Sequence, residues 1–277
     1  MSMRTDLHIH TVATDGRWTP ERVIVEVQAR EIGLFAVTDH DSVGSVRPAQ
    51  ALAREAGLSF LQGVEVSTRT NGHIFHVLAY GVDLENQALA ALMQENRAAL
   101  QRNNDAAIRR LIAAGYTIDW DDYAAYEYDR TRGGWKALNF LIDRGFCADL
   151  QDYFRTLSAH EVNGIPAYAR SERAIAIIRE AGGVPILAHP GGSLRHVGVT
   201  DKALRPFLDF GVAGLECYSN YHDDATTRSC LDWCSRYDRL ATGGSDCHGG
   251  FVGREMGVPA VDTVDLRLGE LEEHIVR

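Results

Sequence analysis

The sequence predicts an α/β protein, a seven-stranded (β/α) barrel interrupted by one helical insertion. Three observations lead there. Short apolar runs alternate with amphipathic helical segments about seven times in 277 residues. The runs "LFAVT", "VPILA" and "GLECY" are nearly continuously apolar, as in parallel strands covered on both faces. From Leu84 to Pro166 the pattern is helical and offers no strand.

Taken in order, strands are expected at Thr5–His8, Leu34–Thr38, Ser59–Glu65, Ile74–Tyr80, Val184–Ala188, Gly214–Tyr218 and Leu240–Gly243. "TPERVIVEVQAREIG" reads as the first helix, with Thr19 as N-cap, Pro20 at the first helical position and Gly33 as the stop. Ser45–Glu55 and Ser171–Glu180 read the same way. Repeated strand–helix units imply a parallel sheet, and about seven of them favour closure into a barrel over an open sheet. Residues 1–83 and 167–277 are assigned to the barrel and 84–166 to the insertion, whose first part is one long helix or two.

Composition narrows the function. The chain is 45% hydrophobic and 24% charged, ordinary for a globular protein with a sizeable core. A formal charge of −10 disfavours loose, charge-driven nucleic-acid binding but allows a local basic pocket. No run of about 18 apolar residues suits a membrane span. The opening "MSMRTDLHIH" lacks an apolar signal core, so a cytoplasmic protein with reduced thiols is expected. The five cysteines are irregularly spaced, and Cys230 and Cys234 suit core packing better than metal.

The chemistry sits at strand ends. Side chains alternate along a strand, so His8 and His10 face one way while Leu7 and Ile9 face the other. Such a pair alone reads equally as hydrogen-bonded core histidines. The pattern recurs, however, at His40, Glu65, His76, His189, Asp246 and His248, with Asp15 close behind the first pair. Six of the eleven histidines and three carboxylates thus follow or end apolar strands. Burying so many polar groups is costly without a cation. Nine ligands exceed what one ion accepts, so two or three divalent ions are implied. Mixed histidine and carboxylate ligation suits Mn²⁺, Zn²⁺ or Fe²⁺ without choosing among them; Mn²⁺ is the ion expected.

The set "DLHIHTVATDG", "TDHDS", "GVEVS", "HVLAYG", "LAHPGG" and "GSDCHG" resembles the successive motifs of the PHP (polymerase and histidinol phosphatase) family of metal-dependent phosphoesterases, from Thr5 to Gly249 outside the insertion. The resemblance implies a distorted seven-stranded barrel and a di- or trinuclear centre. By motif, His8, His10, Glu65 and Asp246 would hold one ion. Asp15, His40 and His248 would hold a second, and Glu65, His76 and His189 a third, with Glu65 bridging. Asp15 stands where many relatives have His, and this harder ligand bears on the choice of metal.

Clustered divalent ions point to hydrolysis of a phosphate ester, with Asp246 or His222 as proton carrier. No P-loop, G-x-G-x-x-G or G-x-S-x-G supports nucleotide-hydride or serine-nucleophile chemistry. In the insertion, "DRTRGGWKALNF" brings Arg130, Arg132 and Lys136 together in a chain with two lysines, as a clamp for a second phosphate or as a solvated loop. His196 lies in a loop that can reach substrate. A single barrel with a central helical insertion resembles the PHP subgroup that removes the 3′-phosphate of 3′,5′-nucleoside bisphosphates such as pAp. Some of its members resemble 5′→3′ exonucleases on short RNA or DNA ends. Histidinol-phosphate phosphatase, general phosphodiesterase and a non-enzymatic metal-binding domain are the alternatives. No membrane or obligate protein partner is expected.

Overall fold

The computed structural model describes residues 2–160 and 164–277. Its strands are β1 (Arg4–Asp6), β2 (Leu34–Phe35), β3 (Ser59–Leu61), β4 (Gly63–Thr70), β5 (His73–Tyr80), β6 (Val184–Leu187), β7 (Gly214–Tyr218), β8 (Leu240–Gly243), β9 (Val261–Asp262) and β10 (Ile275–Val276). They form two five-stranded sheets, ordered β10-β3-β2-β1-β9 and β4-β5-β6-β7-β8. The expected single seven-stranded barrel is therefore corrected: among the described residues no closed sheet forms.

Two local features explain the difference. The segment expected as one strand, Ser59–Glu65, divides at Gln62. Its first part pairs with β2 and its second with β5, in different sheets. Then Asn71 and Gly72 turn the chain with φ of 50° and 80°, a two-residue connection that makes β4 and β5 antiparallel. A parallel pairing would need a crossover of about a dozen residues. Strand β5 is also antiparallel to β6, while β1-β2-β3 and β6-β7-β8 are parallel as expected. The sheets meet at two seams, through isolated parallel bridges between His40 and Glu65 and between Ile9 and Cys247. Each seam thus runs beside expected ligands.

The helices follow the sequence signals closely. Pro20–Ala29 is capped by Thr19, whose hydroxyl accepts from the Arg22 N–H. It ends at Arg30, short of Gly33. Ser45 precedes Val46–Glu55 without capping it, because its hydroxyl is bonded to that of Thr11. Gln87–Ala113 is one helix of 27 residues, capped by Asn86. Its first turns bury Leu89, Leu92 and Met93 against the sheet core, and its last turns bury Ala107, Ile108 and Leu111 against a second cluster. That second cluster comes from Trp120–Ala125, Lys136–Asp143 and Leu150–Ala159, through Tyr123, Leu138, Phe140, Leu141, Tyr153 and Leu157. Residues 161–163 of the expected insertion lie outside the described residues. All five cysteines are buried and unpaired, with Cys230 and Cys234 in the sheet core. Among the described residues no helix is long and apolar enough to cross a membrane.

Candidate metal centre

Strand ends deliver the polar groups to one place. His8 and His10 follow β1 and are fully buried, while Leu7 and Ile9 enter separate apolar clusters on the other side. The loop after His10 doubles back tightly: a Cβ on Gly16 would lie 2.6 Å from the His10 carbonyl carbon. Glycine at this position therefore lets Asp15 return toward His10. Asp41, His189 and Asp246 have φ of 47°, 28° and 50°, three of the six left-handed non-glycine residues among those described. Such backbone is disfavoured and persists where packing enforces it, often at functional sites.

Glu65 is the hub. Its Oε2 lies 3.0 Å from His40 Nδ1, 3.2 Å from His10 Nε2 and 3.3 Å from His8 Nε2. Its Oε1 lies 2.9 Å from His189 Nε2 and 3.1 Å from His76 Nδ1. Asp246 Oδ1 is 3.0 Å from His10 Nε2 and 3.4 Å from His8 Nε2. Asp15 Oδ2 is 3.3 Å from His248 Nε2 and 3.8 Å from His40 Nε2. Three overlapping groups present ligand atoms within 4.8 Å of one another: His8, His10, Glu65 and Asp246; His10, Asp15, His40 and His248; His40, Glu65 and His76. His189 adjoins the third through Glu65.

These residues fit divalent ions better than they fit each other. His10 Nδ1, His40 Nδ1, His76 Nδ1, Glu65 Oε2 and Asp246 Oδ1 are buried and lack a hydrogen bond, although neighbouring site atoms lie 3.0–3.5 Å away. Unsatisfied buried polar atoms are costly, and several aimed into one space suit a shared cation. The outer contacts also set lone pairs inward. His8 Nδ1 lies 2.9 Å from Glu216 Oε1, and His248 Nδ1 lies 2.8 Å from the Asp246 carbonyl. Each Nδ1 donates, which leaves Nε2 as a ligand atom.

Charge is balanced within the cluster. Burial raises the carboxyls, but His248 and His40 outweigh it at Asp15, and the surrounding histidines do so at Glu65 and Asp246; all three are held well below the usual range. Burial likewise opposes charge on His40, yet Glu65 and Asp15 raise it to about 10. His8 is raised too, against burial, by Glu65, Glu216 and Asp246. Burial lowers His76 in spite of Glu65.

Comparison with known proteins agrees with this geometry. The chain is 32% identical over 264 residues to a 3′,5′-nucleoside bisphosphate phosphatase of Chromobacterium violaceum, covering 91% of this chain and 90% of that one. It is 30% identical over 263 residues to a phosphoribosyl 1,2-cyclic phosphate 1,2-diphosphodiesterase of Eggerthella lenta, covering 90% and 95%. A 5′-3′ exoribonuclease of Haemophilus influenzae is 28% identical over 259 residues, covering 90% and 91%. The chain belongs to the PHP family of metal-dependent phosphoesterases. A crystal structure from Bifidobacterium adolescentis, assigned as a metal-dependent phosphoesterase, superposes with a TM-score of 0.84 at 27% identity, covering 99% of this chain and 96% of that one. No family model matches the chain.

In this PHP phosphoesterase the nine residues singled out as ligands converge; the remaining candidates do not all join them. His222 is held by backbone at both ring nitrogens: Nδ1 lies 2.8 Å from the Cys217 carbonyl, and Nε2 accepts from the Gly191 N–H at 2.9 Å. His196 stacks on His73, with ring centroids 4.3 Å apart. Arg132 forms a two-pronged pair with Asp143 at 2.7 and 2.8 Å. Lys136 donates to the Ala124 carbonyl, and Arg130 lies over the Tyr128 ring. Their loop nevertheless reaches the centre, since the Gly134 N–H donates to the Asp15 carbonyl at 2.8 Å. Sequence reading missed Glu216, whose signal was a carboxylate inside the apolar run "GLECY". It also missed Arg254, which contacts Asp246 and Tyr221 and stands in a loop with no periodicity to mark it.

Proposed function

We propose that this phosphoesterase removes the 3′-phosphate from 3′,5′-nucleoside bisphosphates such as pAp, giving the 5′-monophosphate and inorganic phosphate. The observation that carries hydrolysis is the convergence of nine candidate ligands, eight in three overlapping groups and His189 against Glu65, around unsatisfied buried atoms. The substrate class draws on two supports: the Chromobacterium violaceum relative, and the basic, glycine-containing loop 129–136 that seats Gly134 on Asp15.

When bound at His8, His10, Asp15, His40, Glu65, His76, His189, Asp246 and His248, divalent ions, Mn²⁺ by preference, supply an activated water and neutralise phosphoryl charge. The residues of the chain do the rest. Water oxygen bonds to phosphorus as the bond to O3′ breaks; the water gives up one proton to solvent, and the 3′ oxygen takes one from solvent and leaves as the hydroxyl. The surrounding histidines hold Asp246 ionised against burial, so at this site its carboxyl does not donate a proton. His222 drops out as proton carrier, because both nitrogens are committed to backbone. Arg130 contacts the uncleaved 5′-phosphate, while Arg132 and Lys136 fix the loop that carries it. In this reading residues 84–166 act as the substrate-reading unit, positioned by the long helix.

A 5′→3′ exoribonuclease activity on short ends is the second reading, favoured by the Haemophilus influenzae relative. Both reactions cut the 3′ phosphoester of a nucleotide bearing a 5′-phosphate. Phosphate release from pAp, 3′-AMP and histidinol phosphate, with turnover of a 5′-phosphorylated dinucleotide, phosphoribosyl 1,2-cyclic phosphate and an aryl diester, tests the assignment with Mn²⁺ present. pAp should have the highest kcat/KM. Preference for any other member would replace this substrate.

A further inference from the structure

We infer that Arg254, held by Tyr221, is the protein's own binding group for the transferring phosphoryl moiety; this deepens the phosphoesterase reading and rests on it. Arg254 Nη1 contacts Asp246 Oδ2, and its Nη2 contacts the Tyr221 hydroxyl. The guanidinium carbon lies 4.5 Å from the centre of the Tyr221 ring. That ring in turn lies 4.9 Å from the His189 ring, so the pair flanks the ligand cluster.

The two oxygens of Asp246 divide the work. Oδ1 faces His8 and His10, where it has no hydrogen bond, and Oδ2 faces Arg254. Filling the inner site would leave the guanidinium in place beside it. Arg254 is 22% exposed in its side chain, so it borders both cluster and solvent. A guanidinium offers five donors in a planar fork. Contacts to Asp246 and Tyr221 fix its plane and leave donor capacity for phosphoryl oxygens, the geometry for which Arg is suited. Charge spreads over those oxygens as the ester bond breaks, and a preoriented cation beside them acts at that moment. Tyr221 is a positioning residue, touching substrate only through Arg254.

The rival role is purely internal: Arg254 only orients Asp246. Arg254→Met and Arg254→Lys separate the two. With p-nitrophenyl phosphate and Mn²⁺, kcat/KM should fall about a hundredfold in Arg254→Met and about tenfold in Arg254→Lys. Inhibition by inorganic phosphate should weaken about tenfold, while metal per chain stays at the wild-type value. Added guanidinium should restore part of the rate of Arg254→Ala, and Tyr221→Phe should lower kcat several-fold with that same metal content. Metal loss parallel to the loss of rate, or an unchanged phosphate inhibition constant, would overturn the assignment. If the wild type hydrolyses no phosphate ester, the phosphoesterase reading fails by itself. Calorimetric binding of inorganic phosphate to wild type and Arg254→Met then still decides this one: equal affinity overturns it.

Discussion

At the scale of single residues, Glu65 carries the centre. It touches five histidines and is fully buried. Glu65→Gln keeps the shape but removes the charge that those histidines share. It should lower kcat/KM by more than about a thousandfold and reduce bound metal, as read by elemental analysis. Near-normal metal content with near-normal rate would refute the hub role. Glu216→Gln should be milder, weakening metal affinity about 10- to 100-fold through His8. The raised His8 and His40 set a pH dependence for the metal-free protein. Their protonation stabilises the fold fully below about pH 6.5, and that contribution fades as pH rises toward the value of about 10 at His40. The depressed Asp15, Glu65 and Asp246 contribute above about pH 4 and lose this as pH falls. Thermal midpoints with chelator should therefore drop from pH 6 to pH 9, and added Mn²⁺ should reverse the drop, because the ion replaces the protons. Equal midpoints at both pH values with chelator would contradict this. The convergence of these nine residues was legible in sequence because a histidine or carboxylate at the end of an apolar strand is desolvated and calls for a partner, with Asp15 in the loop close behind the first pair. Arg254 was not, because a loop residue's direction depends on a fold that spacing alone does not give.

Among elements, the long helix Gln87–Ala113 is tied to the centre by Asn96 and by Arg97, which donates to the Asp41 carbonyl. Buried Asn96 donates to Asp41 Oδ1 and to the Ser67 carbonyl, both at 2.7 Å, and accepts from the Ala169 N–H at 3.1 Å. Asp41 directly follows His40, one of the candidate ligands. Burial raises its carboxyl to about 6 even though Asn96 and Ser67 favour the ionised form. Asn96→Leu keeps the volume and removes three hydrogen bonds, leaving Asp41 Oδ1 only the Ser67 N–H, so it should cost about 2–4 kcal/mol, read from denaturant unfolding. A loss under about 0.5 kcal/mol would show that the helix is held elsewhere. Element by element, the first helix start was readable from its cap, Thr19. The antiparallel hairpin was readable too, from Asn71-Gly72, but the repeated strand–helix rhythm argued for parallel pairing and obscured it. The two-residue β9 and β10 are too short for any periodicity.

For the whole molecule, the α/β class and the helical stretch between β5 and β6 followed from patterning, whereas the division into two sheets did not. That division depends on a break at Gln62 and on two seams made of isolated bridges, which pairing decides and composition does not. The seams are also where the ligands lie: His40 bridges Glu65 across one, and Ile9, between His8 and His10, bridges Cys247 across the other. Metal binding should thus clamp the two sheets together and raise the thermal midpoint by mass action. The central claim is that these ligands hold a cluster of ions that hydrolyses a phosphate ester. It is tested most directly by titrating Mn²⁺ into metal-stripped protein while following phosphate release from pAp and bound metal per chain. Release should be absent without metal and full only once at least two ions are bound. Full release with one ion, or with none, would contradict it.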